Sequence, residues 1–227
     1  MHEAMTATRP DAAVKARPWT SIFRDTRGLA MIEFAMVTPV LITLGLAGAE
    51  VTNMAIAQMR VNQISTSVSD NVARVRNSIN EADVNEVLLS ASILGGSDFP
   101  ANGRVVVSSV ESNGKTGADA GQYIRWQRCT GALNVAESQP KYGLQDKGKT
   151  NNSLQFMGTA PRKIAPAAGS ALIFVEVTYK YQPLVSARFF GTPVMRSEAV
   201  YNVRERNDQT LGSAAGATTN VCTTYAA

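Results

Sequence analysis

The sequence predicts an α+β protein: a long N-terminal transmembrane helix that continues into an amphipathic stem and packs on a C-terminal antiparallel β-sheet. Three observations carry this. The 21 residues from Leu29 to Ala49 are apolar apart from Glu33. No glycine or proline interrupts the chain between Ala49 and Leu94, and apolar residues recur there every three or four positions. After Gly96 the pattern changes to short alternating runs rich in β-branched and aromatic residues, the signature of strands.

The N-terminal run comes first. As a helix it measures about 31 Å, close to the hydrocarbon thickness of a bilayer. Residues 1–28 carry five Lys/Arg against three acids, so this basic leader is expected on the cytoplasmic side and everything after residue 49 on the far side. The remaining chain holds 17 basic and 15 acidic residues, and the net charge is only +4. With no Lys/Arg block, a nucleic-acid surface is not expected. Pro39 is tolerable in a membrane helix, and Gly45, Gly48 and Ala49 supply small residues for helix packing.

Glu33 is the anomaly. An acid drawn into a membrane end unpaired is costly, so a positive partner is expected. A cut between Gly28 and Leu29 would create one, the new α-amino group of Leu29. Within one chain that group would reach Glu33 across the first turn. Between chains the pair would set a stagger.

The stretch GLAMIEF resembles the class of type IV prepilin cleavage site in which a peptidase cuts after glycine and glutamate is the fifth mature residue. RGLAMIEFAMVTPVLITL resembles, more closely, the TadE-like pseudopilins of the tight-adherence (Tad/Flp) pilus system. The blocks YIRWQRCTGAL and VEVTYKYQPL, with a last strand ending VRER, extend that likeness. The resemblance implies a pilin-like fold and a structural rather than enzymatic role as a minor pseudopilin in pilus biogenesis, adherence and surface attachment. It implies Gly28 and Leu29 as the processing site and Glu33 as the assembly carboxylate. It implies a single-pass protein of the bacterial inner membrane whose partners are the prepilin peptidase, other pilins or pseudopilins, and Tad assembly-platform proteins. The competing reading is a membrane-anchored or secreted periplasmic binding protein. Ala47-Gly48-Ala49 has the small-x-small form of a signal-peptidase site, with cleavage after Ala49.

Residues 50–96 form the expected extracytoplasmic stem. Val61, Ile64, Val68, Val72, Val75 and Ile79 make its apolar stripe, which suits packing on the protein's own sheet better than a partner coiled coil. Ser78-Ile-Asn-Glu81 has the form of a capping box, placing a break near residues 77–80 and a second helix ending at Gly95-Gly96. Residues 97–227 form the expected β-rich periplasmic domain. Its strands are Arg104 to Val110, Tyr123 to Cys129, Ala171 to Tyr181 and Val194 to Arg204. Residues 133–168 read as a long polar loop, and the tail from Asn207 reads as mobile except where Cys222 ties it down. The two cysteines, Cys129 and Cys222, suggest one disulfide in an oxidising compartment; the other reading is two free thiols in a cytosolic protein.

Catalytic signals are thin. The single histidine, His2, lies in the leader, so histidine-based nucleophilic mechanisms have no base, and no Cys/His cluster has metal spacing. Gly143-Leu-Gln-Asp-Lys-Gly-Lys-Thr150 matches a phosphate-loop pattern letter for letter. That loop needs a buried strand before it and a helix after it. ESQPKY and NNSLQFMG supply neither, and no nucleotide is expected. Glu176, in the strongest strand, is expected to pair with a neighbouring Arg or Lys, and no cofactor is expected.

Overall fold

A computed structural model describes residues 28–225. The basic leader, residues 1–27, lies outside the described residues. Helix α1 spans Leu29–Arg74 and is followed by strand β1 (Asn77–Asn80), helix α2 (Glu81–Gly95) and the single turn α3 (Phe99–Asn102). Strands β2 (Gly103–Ser112), β3 (Gln122–Thr130) and β4 (Ala171–Lys180), the turn α4 (Ala187–Phe190), and strands β5 (Val194–Asn202) and β6 (Arg206–Gly212) complete the chain. The chain divides into two compact units, Met1–Ala47 and Gly48–Ala227, the boundary falling inside α1.

In the first unit α1 is apolar on every side, and Leu29, Ile32, Phe34, Val37, Leu41 and Leu44 are all exposed. It is long and apolar enough to cross a membrane. Its threonines do not spoil that. Thr38 donates to the Phe34 carbonyl at 2.6 Å and Thr43 to the Pro39 carbonyl at 2.9 Å, so each hydroxyl is satisfied within the helix.

The second unit is built on a four-stranded antiparallel sheet in the order β3-β2-β4-β5. The expected α+β arrangement, a long apolar helix followed by a C-terminal antiparallel sheet, is what forms. The stem stripe Val61, Ile64, Val68 and Val72 is fully buried. It joins Val84, Leu88 and Ala91 of α2 in covering Val105 and Val107 of β2 and Ile173, Val175, Val177 and Tyr179 of β4. The periodicity of 3.6 on the helix and of 2 on the strand therefore meet in one core. Two polar contacts fix the helix in register. Ser65 and Ser197 share a hydrogen bond at 2.8 Å, and Arg60 donates to the Gly95 carbonyl at 3.3 Å.

Four features differ from the sequence expectation. The helix break falls where expected, but Asn77–Asn80 is a strand pairing in parallel with β6. The capping box lies two residues further on. Asn80 accepts from Ala82 and Asp83 amides at 2.8 and 3.1 Å, and Asp83 accepts from the Asn80 amide at 2.9 Å. Asn80 takes the cap because it immediately precedes Glu81, the first residue of α2, whereas Ser78 stands two residues too early. Helix α2 closes as expected at Gly96, whose φ of 86° suits glycine.

Residues 133–168 are a covering layer rather than a free loop. Nine of the ten β4 residues are buried, so its second face needs a cover. Leu154 and Met157 supply one, packing on Val110, Ile124, Leu172 and Phe174, with Tyr142 edge-on to Phe174 at 5.2 Å. The C-terminal tail is likewise tied down. Its first residues lie in β6, and the Asn220 carbonyl accepts from the Cys129 amide at 2.9 Å. The buried Arg104 guanidinium donates to the carbonyls of Gly131, Cys222 and Thr224 and lies 4.0 Å from the Tyr225 ring centre. Sequence composition alone gave no sign that an arginine in β2 would gather these carbonyls.

Candidate functional site

The residues singled out at the start of α1 are presented openly. Gly28 precedes the first helical residue, and a Cβ built on it would meet nothing within 4 Å. Leu29 and Glu33 are exposed, and Glu33 makes no ion pair or side-chain hydrogen bond with a described residue. Its carboxylate stands among Met31, Ile32, Phe34 and Met36, all of them more than half exposed. Its two oxygens are engaged by no described residue.

The other end of the apolar run is arranged in the opposite way. Glu50, first residue after it, is fully buried. Its carboxylate accepts from the Tyr181 hydroxyl at 2.5 Å, the Val185 amide at 2.9 Å and the Leu184 amide at 3.3 Å. Asn53, one helical turn on, donates to the Tyr181 oxygen at 2.6 Å. The Tyr181 hydroxyl, aided by the two amides, holds the Glu50 carboxyl below the ordinary carboxylate range against the opposing effect of burial. Tyr181 continues the inward face of β4, and Pro183 turns the chain so that two successive amides converge on Glu50. This clasp was not legible beforehand. In the sequence Glu50 is simply the first charge after the apolar run, and its partners lie more than 130 residues away.

Cys129 and Cys222 form the disulfide, joining β3 to the C-terminal segment beside Val106. Glu81, in the first turn of α2, holds the buried Arg128 of β3 by a two-pronged ion pair, with Nε at 3.0 and 2.9 Å from the two oxygens and Nη2 also in contact. Glu176 pairs with Arg196 of β5, as its strand position suggested, and accepts from the Lys141 amide at 3.2 Å. Burial pushes Glu176 up to about 7 despite Arg196.

The phosphate-loop string does a different job. Asp146 accepts the Lys149 ammonium at 2.8 Å. The amides of Gly143, Asp146, Lys147 and Lys149 donate to the carbonyls of Pro140, Ile124, Leu144 and Asp146. They are spent within the chain and do not converge on a site. Gly148 has φ of 85° and lies so close to Gln122 that a Cβ would come within 2.1 Å of its carbonyl oxygen. The glycines are required by a tight turn laid over β3. Among the described residues no cluster of His, Cys, Asp and Glu is arranged to hold a metal ion.

Comparison with known proteins bears on one end of this arrangement. No curated protein and no solved structure matches the chain. One protein family does: its model, that of the TadE-like proteins, matches residues 28–67. The match opens on Gly28, takes in Glu33 and Glu50, and ends within α1 short of the sheet. Residues 28–67 are thus similar to the TadE-like proteins, and the rest of the chain lies outside that match.

Proposed function

We propose that this protein is a minor pseudopilin of a Flp-type pilus, a structural and assembly component rather than an enzyme. It is made as a single-pass precursor in the bacterial inner membrane, leader inside and sheet domain in the periplasm. A prepilin peptidase cuts between Gly28 and Leu29, and the apolar helix then packs against other pilins or pseudopilins on the Tad assembly platform. Glu33 pairs with a terminal amine, its own or a neighbour's, and so sets the stagger of packed helices.

The observation that carries this reading is the TadE-like match over residues 28–67. The exposure of both Leu29 and Glu33 supports it, because a peptidase needs the first and a neighbouring chain the second. The burial of Glu50 supports it too. Cleavage after Ala49 would cut within α1 and turn a buried, clasped helix residue into a chain terminus.

The test is the intact mass and N-terminal sequence of the protein recovered from membranes of its own host. A chain beginning at Leu29 is expected. A chain beginning at Glu50 would overturn the proposal in favour of a secreted binding domain. An uncut chain would reduce the protein to a plain membrane-anchored one.

A further inference from the structure

We infer that the turn after β4, residues 183–190, docks on the lipid surface of the same bilayer that α1 crosses. Three observations converge on it, and the inference rests on the membrane reading of α1. The first is position. The amides of Leu184 and Val185 are bonded to Glu50, the first residue past the apolar run, so this turn is held where the chain leaves the hydrocarbon. The second is exposure. Leu184 is 70% exposed and Phe189 82%, with Val185 at 40% beside them. The third is charge. Residues 180–195 contain Lys180 and Arg188 and no acid, which suits a surface bearing anionic headgroups.

The backbone of the turn is fixed, so this is not a loose loop. Ser186 accepts from the Arg188 amide at 3.2 Å, Gly191 donates to the Ala187 carbonyl at 2.9 Å, and Gly191 closes α4 with φ of 68°. Phe189 is therefore presented outward on an ordered turn. An aromatic ring and a leucine beside a cation is the side-chain set favoured at a membrane–water interface. The turn would act with α1 as a second point of attachment and limit the tilt of the sheet domain against the membrane.

Site-directed spin labelling of the full-length protein in vesicles of phosphatidylethanolamine and phosphatidylglycerol tests this. The native cysteines are joined in the disulfide, so a Phe189→Cys variant takes a single nitroxide. Leu89→Cys, on the exposed face of α2, and Leu41→Cys, inside the apolar run, serve as references. The measurement is relaxation by oxygen, which concentrates in lipid, against relaxation by a water-soluble nickel chelate. The oxygen-to-nickel ratio at position 189 is expected to be several-fold above that at position 89 and nearer to that at position 41. A ratio at 189 equal to that at 89 would overturn the inference, placing the turn in water. Exclusion of both relaxants at 189 would also overturn it, showing a protein neighbour in place of lipid. A water-like ratio at position 41 would remove the membrane reading itself, a failure distinct from the other two.

Discussion

Glu33 and Glu50 bracket the same apolar run and have the same side chain, yet the chain treats them in opposite ways. Glu50 is fully buried, and a hydroxyl and two backbone amides occupy its oxygens. Glu33 is exposed and has no partner among the described residues. A carboxylate whose acceptors are filled from within serves the fold. One left exposed among apolar side chains receives no such donors from the described chain, and on the proposed reading its partner is a terminal amine. The difference separates the part of the helix that is bonded into the domain from the part whose side chains are left exposed.

The strongest way to break this contrast is to neutralise Glu33. Glu33→Gln is expected to abolish pili while leaving the unfolding free energy of the full-length protein, measured by urea titration in micelles, within about 0.5 kcal/mol of the parent. Normal piliation in the variant, or a clear loss of stability, would remove the distinction between the two carboxylates.

Glu81 sharpens the comparison from the inward side, being a buried acid whose partner is a formal charge. Glu81→Ala leaves Arg128 buried with only the Gln127 carbonyl at 2.7 Å and the Gln145 side chain at 3.3 Å. A destabilisation of about 3–5 kcal/mol is expected, because the cost is that of a stranded charge. Tyr181→Phe should cost less. It removes one donor to Glu50 but leaves both amides in place, and the loss is expected near 2 kcal/mol. If Tyr181→Phe proved neutral in urea unfolding, Glu50 would be held by the backbone alone.

The same contrast explains how much was legible in the sequence. The apolar run, the stripe from Val61 to Val72 and the alternation of β4 are local patterns, and each led to the right element. Glu33 and Gly28 stood out because they lie in a short contiguous motif, within the stretch that the TadE-like model matches. Glu50 was not, because its meaning depends on Tyr181, Leu184 and Val185, which only the folded sheet brings near. The cover over the second sheet face was missed for a related reason. Residues 133–168 are polar on average, and their few anchors, Leu154 and Met157, follow no period. Strand β6 was hidden in an unremarkable sequence, RNDQTLG, whose pairing with β1 joins residues 129 to 132 positions apart by register. Periodicity reports burial against a regular surface and is silent about single residues that lock distant segments.

The smallest expected effect concerns Glu176, an inward carboxylate that is poorly compensated. It is nearly fully buried, one oxygen meets Arg196 and the Lys141 amide, and the other has no partner among the described residues. Burial raises it from 4.5 to about 7, with Arg196 opposing. Between those two values the folded chain keeps a proton that the unfolded chain has lost. The native state then binds more protons, and stability falls as pH rises through that window. Glu176→Gln has no proton to lose, so its urea midpoint should fall less between about pH 5 and pH 7 than that of the parent. Comparison of the two falls cancels every other titrating group that both proteins share. Equal falls would mean that Arg196 holds Glu176 ionised throughout, making it a fully compensated inward acid in the manner of Glu50 and Glu81.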